Sequence, residues 1–196
     1  MATWNAIITA SSDDARQAGT TVTLTDTGIL LNAGTQWAGL RFLSCPIAPG
    51  SGIVSALLTL DINTTTNDSP GGMGIYGEAY NFPNTFSTTG NDISNRNRTT
   101  NVVPWTGTDI GAGDKTAPDL AAVLNEIING GYGFSAGNPV ALILDPTSTT
   151  DLLFRAYDGS TTTCARLTVE YTPPTTAAAG PLVNAQRLKS KLRGFV

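Results

Sequence analysis

Residues 53–62, IVSALLTLDI, alternate with a period of two. Val54, Ala56, Leu58 and Leu60 share one face, while Ser55, Leu57, Thr59 and Asp61 share the other. That period belongs to a strand with one buried face, not to a helix. On both sides the run is bounded by turn-forming sequence: CPIAPGSG at 45–52 and NTTTNDSPGG at 63–72. Further strands are expected at 7–9, 21–25 (TVTLT), 29–31, 36–43 (QWAGLRFL), 73–80 (MGIYGEAY), 98–105 (RTTNVVPW), 140–144 (VALIL), 152–157 and 165–171. The glycines within 73–80 mark a bulge or a close backbone approach, and Pro104 makes 98–105 an edge strand. Residues 11–14 read as a polar turn or helix cap, and the polar, turn-rich residues 81–97 as a long ordered surface connection.

One segment departs from this pattern. Leu120, Val123, Leu124, Ile127 and Ile128 recur at helical spacing. Thr116 is the expected N-cap, Pro118 sits in the first turn, and Gly130-Gly131 is the stop. The expected fold is therefore mainly β: a jelly-roll-type β-sandwich of about eight strands with one amphipathic helix and a C-terminal arm. The sandwich spans residues 1–172, a Pro/Thr/Ala linker spans 173–180, and a basic arm spans 181–196.

Composition narrows the chemistry. The chain has 196 residues, no histidine, 15 acids and 11 bases, against 56 Thr, Ser and Asn residues. Without imidazole there is no Ser-His-Asp triad, no Cys-His pair and no His-ligated zinc. For the same reason, the contacts the protein makes are expected to be insensitive to pH between about 6 and 8. Cys45 and Cys164, 119 positions apart, fit no metal or redox spacing and read as two buried free thiols, with a single long-range disulfide as the alternative. The N-terminal MATWNAIITASSDDARQ has no secretory-signal pattern, and no apolar run is long enough to span a membrane.

Catalysis would have to rest on carboxylates. Glu126 and Glu170 read as solvated, and Glu78 lies between Tyr76 and Tyr80. A glycosidase needs a second carboxylate nearby, which spacing alone does not supply, and no enzymatic activity is expected. Asp13, Asp14, Asp61, Asp109 and Asp158 are oxygen donors of the kind calcium takes, but no segment matches a calcium loop. No metal and no cofactor are expected. Trp37, Trp105 and Tyr132 are candidates for a sugar-stacking platform, the alternative being Trp37 in the core and Trp105 packed near the helix; Arg96 and Arg98, among asparagines, are candidates for a subunit or glycan contact, the alternative being a solvated loop anchored by arginine hydrogen bonds to backbone carbonyls.

Charge is segregated. Arg187, Lys189, Lys191 and Arg193 lie in the last 16 residues with no acid, so the rest of the chain is acidic. Leu188, Leu192 and Phe195 interleave with these bases, a pattern suited to docking in a protein groove. Four charges are too few for tight nucleic-acid binding, so no nucleic-acid partner is expected.

The segment order also resembles a known kind of module. It runs SSDDA (11–15), GLRF (39–42), IVSALLTL (53–60), NRNRTT (95–100) before VVPW (102–105), APDLAAVLNEIINGGYGFSAGNPVALIL (117–144), then FRAYDGS and ARLTVEYT within 154–172. This is similar to the jelly-roll, carbohydrate-binding-like modules of tailed-phage structural proteins and bacterial surface proteins. The resemblance implies binding or scaffolding rather than chemistry. It points to a virion protein of the capsid decoration (cement) type on the capsid exterior, homotrimeric, contacting the major capsid protein or another virion protein. The alternative it implies is a carbohydrate-binding adhesin of a tail or head fibre, with a surface glycan as partner.

Overall fold

The computed structural model describes residues 1–32 and 34–175. Among them are thirteen strands and one helix, where the sequence pattern suggested about eight strands. They are β1 (Ala2–Ile7), β2 (Asp14–Ala18), β3 (Thr21–Thr23), β4 (Gly28–Asn32), β5 (Gln36–Phe42), β6 (Gly52–Ile62), β7 (Asp68–Ser69), β8 (Met73–Glu78), β9 (Arg98–Trp105), β10 (Gly113–Thr116), α1 (Ala121–Asn129), β11 (Val140–Asp145), β12 (Asp151–Arg155) and β13 (Arg166–Thr172).

The strands form two antiparallel sheets. The first runs β1-β13-β6-β12-β4, with β10 added on β6 and β7 on β12; the second runs β3-β2-β5-β11-β8-β9. The main core lies between them. From β6 it takes Ala56, Leu58, Leu60 and Ile62, and from β13 Leu167 and Val169. Opposite stand Ala38, Leu40 and Phe42 of β5 and Leu142 and Leu144 of β11. Cys45 and Cys164 are free and buried in the same core, and burial pushes both thiols up to about 11.

Val54 departs from the alternation and is 45% exposed. Tyr171 pairs with Ile53 and Glu170 with Ser55, so Val54 is the extra residue of a bulge and turns outward. At the N-terminus, the expected strand at 7–9 is replaced by β1, which starts at Ala2 and pairs along β13, with Trp4 in the core.

Thr116 is not the helix N-cap. Gly113–Thr116 joins β6, and Thr116 pairs with Thr59. The chain stays against β6 beyond this point: Ala117 N–H donates to Leu58 O at 2.9 Å and Leu120 N–H to Ala56 O at 2.8 Å. The helix begins only at Ala121, whose N–H donates to Asp119 Oδ1 at 2.9 Å. The backbone from Gly113 to Leu120 finds its partners along β6, so the local cap signal at Thr116 is overridden. The helical face itself is as the spacing indicates, with Leu120, Val123, Leu124, Ile127 and Ile128 all buried. Ile127 rests on Gly77 of β8, where an added Cβ would lie 2.5 Å from its Cδ1.

The helix also guards an edge. Among the described residues β9 pairs only with β8, through a bulged register between Tyr76 and Glu78. Glu126 of α1 accepts the N–H of Thr100 at 2.7 Å and that of Asn101 at 2.8 Å, and also bonds the Asn101 amide and the Tyr132 hydroxyl. Glu126 is thus a tethered group, not the solvated side chain expected. Partial burial works against its ionisation, but the Asn101 and Thr100 N–H groups outweigh this and hold the carboxyl at about 2. Its contribution to stability is present above its ordinary pKa of 4.5 and is lost as pH falls from there through about 2. Strand edges left open invite pairing with other chains. Glu126→Ala is expected to lower Tm slightly at neutral pH and to add concentration-dependent association through β9. Light scattering reads the association, and an unchanged mass with an unchanged Tm would count against this role.

Candidate binding groove

The residues 81–97 are a third layer, not merely a surface connection. They strap across the outer face of the second sheet, where Ala15, Val22, Phe86, Ile93 and Ile143 form a second buried cluster. This is why VALIL of β11 reads as a continuous apolar run: Leu142 and Leu144 face the main core and Ile143 faces the strap. The tip of the Phe86 ring sits against Gly39, where a Cβ would come within 2.3 Å of its Cζ.

Three polar side chains fasten the strap. Gln17 of β2, fully buried, accepts the N–H groups of Ile93 and Ser94 at 3.0 and 2.9 Å, and donates to Ser94 Oγ at 2.8 Å. Arg41 donates to Pro83 O at 2.8 Å and pairs with Asp13 at 2.6 Å. Arg96 contributes the most contacts. Its guanidinium donates to Glu78 Oε2 at 2.7 Å, Asn84 O at 2.9 Å, Thr85 O at 3.2 Å and Asp92 Oδ2 at 3.2 Å, with Nε on Asp92 O at 3.0 Å. The same guanidinium lies 4.1 Å from the centre of the Phe86 ring. Burial pushes the Glu78 carboxyl above its ordinary value, and the Arg96 charge restrains the rise.

Above this buried pair opens a groove of about 480 Å³, lined by Glu78, Tyr80, Asn84, Thr85, Ser87, Asp92, Asn95, Arg96 and Asn97. Tyr80 is 49% exposed at its rim. Among the described residues, the side-chain amides of Asn84, Asn95 and Asn97 and the hydroxyl of Tyr80 make no hydrogen bond within the protein. The second carboxylate beside Glu78 is Asp92, and Arg96 bridges the two. Both carboxylates are thus engaged in ion pairs with the same guanidinium.

The candidates from the sequence separate in space. Arg96 lines the groove. Arg98 turns away from it, pairs with Asp145, and lies 5.1 Å from the centre of the Tyr76 ring. Trp37 donates its indole N–H to the same Asp145 at 2.7 Å. Trp105 is 5% exposed and belongs to the core. Tyr132 is tied to Glu126. The platform of Trp37, Trp105 and Tyr132 therefore does not form, because one of its three rings is inside the protein. Asp13 and Asp61 are spent on Arg41 and Arg155, and Asp158 accepts from Ser11. Among the described residues no group of three or more His, Cys, Asp or Glu side chains could hold a metal ion. Arg187, Leu188, Lys189, Lys191, Leu192, Arg193 and Phe195 lie outside the described residues.

Of the groove residues, Glu78 is marked in sequence by its flanking tyrosines, and Asn95 and Asn97 by the NRNR run. Asn84 carries no such signal; only the fold of the strap brings it to the groove.

Two antiparallel sheets packed as a mainly β, sandwich-like body define the class of this protein. No family model and no curated protein matches the chain. Among the described residues, no helix is long and apolar enough to cross a membrane.

Proposed function

We propose that this chain is a non-enzymatic structural protein of a virion, a jelly-roll module of the capsid-decoration kind. The observation that supports this reading best is how the body spends its cations. Arg16, Arg41, Arg96, Arg98, Arg155 and Arg166 are each paired with a carboxylate of the body: Asp26, Asp13, Glu78, Asp145, Asp61 and Asp114. Six arginines held in ion pairs suit a rigid shell, and residues 181–196 add four further bases to the sequence with no acid among them. An acidic body with a basic, leucine-containing arm suits attachment to a major capsid protein or another virion protein. Assembly as a homotrimer would multiply such weak contacts into durable attachment.

The test is made on particles. Antibodies raised against the chain should label the outside of intact phage heads from its source. Mass spectrometry of purified heads should find it near stoichiometric with the capsid protein, and a variant lacking 181–196 should be lost from them. A chain absent from purified particles would overturn the proposal, and full occupancy by the truncated variant would overturn the role of the arm.

A further inference from the structure

We propose that the outer edge of β1 is a self-association surface, which pairs antiparallel with β1 of a second copy about a twofold axis at Asn5. This goes beyond the virion reading. The pair forms between purified chains with no particle present, so either can fail alone.

The two sheets have four edges, and three of them are guarded. At β9, Glu126 takes the N–H groups of Thr100 and Asn101. β3 is only three residues long. β4 lies beside β2 and β5 of the second sheet. Among the described residues β1 has none of these protections. Its strand partner there is β13, in a register without a bulge from Ala2 to Ile7. Residues 1–12 hold no charged side chain and no proline, the usual devices against edge pairing.

The ladder shows which backbone groups face outward. Just past β1, Ile8 N–H donates to Ala165 O at 3.2 Å. In an antiparallel pair the backbone groups of successive residues alternate between the two sides of a strand. Ala6, Trp4 and Ala2 therefore face β13, as Ile8 does, while Thr3, Asn5 and Ile7 turn their N–H and C=O groups to the open side. With Asn5 opposite Asn5 of the second copy, Thr3 falls opposite Ile7. In that register every outward N–H of these residues meets a C=O across the axis. The edge is thus complementary to itself, as a twofold contact requires.

The surroundings suit a second copy. The body is acidic, so a self-contact needs a patch without like charge, and Asn5 on the axis is exposed and uncharged. Along β1 opens a groove of about 400 Å³ between Asn5–Ile7 and Leu43-Ser44, and Leu43 is 37% exposed beside it. A second β1 laid on the edge covers both. A single strand pair is a small interface, so the expected complex is weak and concentration-dependent.

The experiment follows the full chain by sedimentation velocity and native mass spectrometry over a micromolar to millimolar series. The mass should rise with concentration to that of a pair. Asn5→Lys sets like charges opposite each other on the axis and should weaken the pair by about tenfold or more, halving the mass. Its Tm should be unchanged, because Asn5 is exposed and its side chain accepts a surface bond from Thr168 Oγ1 at 3.0 Å. Asn5→Glu should behave in the same way. Mixing the two variants should restore the pair, an outcome specific to the register with residue 5 on the axis. A twofold edge contact is compatible with a threefold contact elsewhere on the body; the particle is then a pair of trimers, and the same halving is read. The proposal is overturned if the wild-type mass never exceeds a monomer or a single trimer. It is overturned equally if both charge variants keep the wild-type mass, or if mixing them fails to restore it. A pair that appears only after residues 181–196 are deleted would assign the edge to the arm and overturn it as well.

Discussion

Arg96→Ala is expected to cost about 3–5 kcal/mol of folding stability, the range for removing one partner of a buried ion pair. The side chains of Arg96 and Glu78 are only 8% and 10% exposed. Truncating the arginine leaves Glu78 buried without its counter-charge, and the carbonyls of Asn84, Thr85 and Asp92 lose their donor. The strap would loosen and uncover Phe86, Ile93 and Ile143. For a domain of this size the loss corresponds to a fall in Tm of roughly 10 °C, measurable by calorimetry. The double variant Arg96→Met/Glu78→Leu should recover part of it, since no charge is then left buried. A loss below about 1 kcal/mol in the single variant would show that the strap is held without this pair.

The second large effect concerns pH. Asp14 is 1% exposed; its Oδ2 accepts the Tyr157 N–H at 2.7 Å, and its Oδ1 has no partner. Burial pushes its pKa up from 3.8 to about 7; the Tyr157 N–H opposes this, and the charges of Asp158 and Asp13 add to it. The native state therefore keeps a proton that the unfolded chain releases. Its stabilising effect is complete below about pH 4 and is lost progressively as pH rises through about 7. A shift of this size corresponds to up to about 4 kcal/mol across that window. Asp14→Asn removes the titration. Its urea midpoint should be similar to wild type near pH 5 and higher at pH 8. Parallel curves for the two proteins from pH 5 to 8 would refute the assignment. The absence of histidine, which suggested pH-insensitive contacts between about 6 and 8, thus does not make the body itself inert there. A carboxylate displaced far enough by burial titrates in the same interval, and burial is a property of the fold.

The groove depends on both features of the strap: the arginine that holds it and the asparagines it presents. Arg96 is therefore a poor variant for testing ligand binding, because it disturbs the fold first. The side chains of Tyr80 and Asn95, exposed and without an internal hydrogen bond among the described residues, can be changed without touching the anchors of the strap.

What could be read without coordinates was periodic. The alternation in 53–62 marks β6, and its core face holds from Ala56 onward. The i, i+3, i+4 spacing from Leu120 to Ile128 marks the buried side of α1. These patterns are local because the geometry of a strand or helix repeats within a few residues. The clusters of Pro, Gly and Asn between them mark where each element stops, for the same reason.

What depended on the tertiary structure was every assignment that needs a distant partner. Gly113–Thr116 is a strand only because β6 offers it an edge, and Thr116 loses its capping role to that pairing. Trp105 is a core residue and Trp37 an outer-face one, though both sit in β-like sequence. Residues 81–97 look like loop because their anchors lie elsewhere, at Gln17, Gly39 and Arg41, tens of residues away along the chain. The composition limited the available chemistry to carboxylates, amides, hydroxyls and guanidinium groups. Which of these are spent holding the fold, and which still face solvent, was decided by packing, because a hydrogen bond between distant residues leaves no period in the sequence.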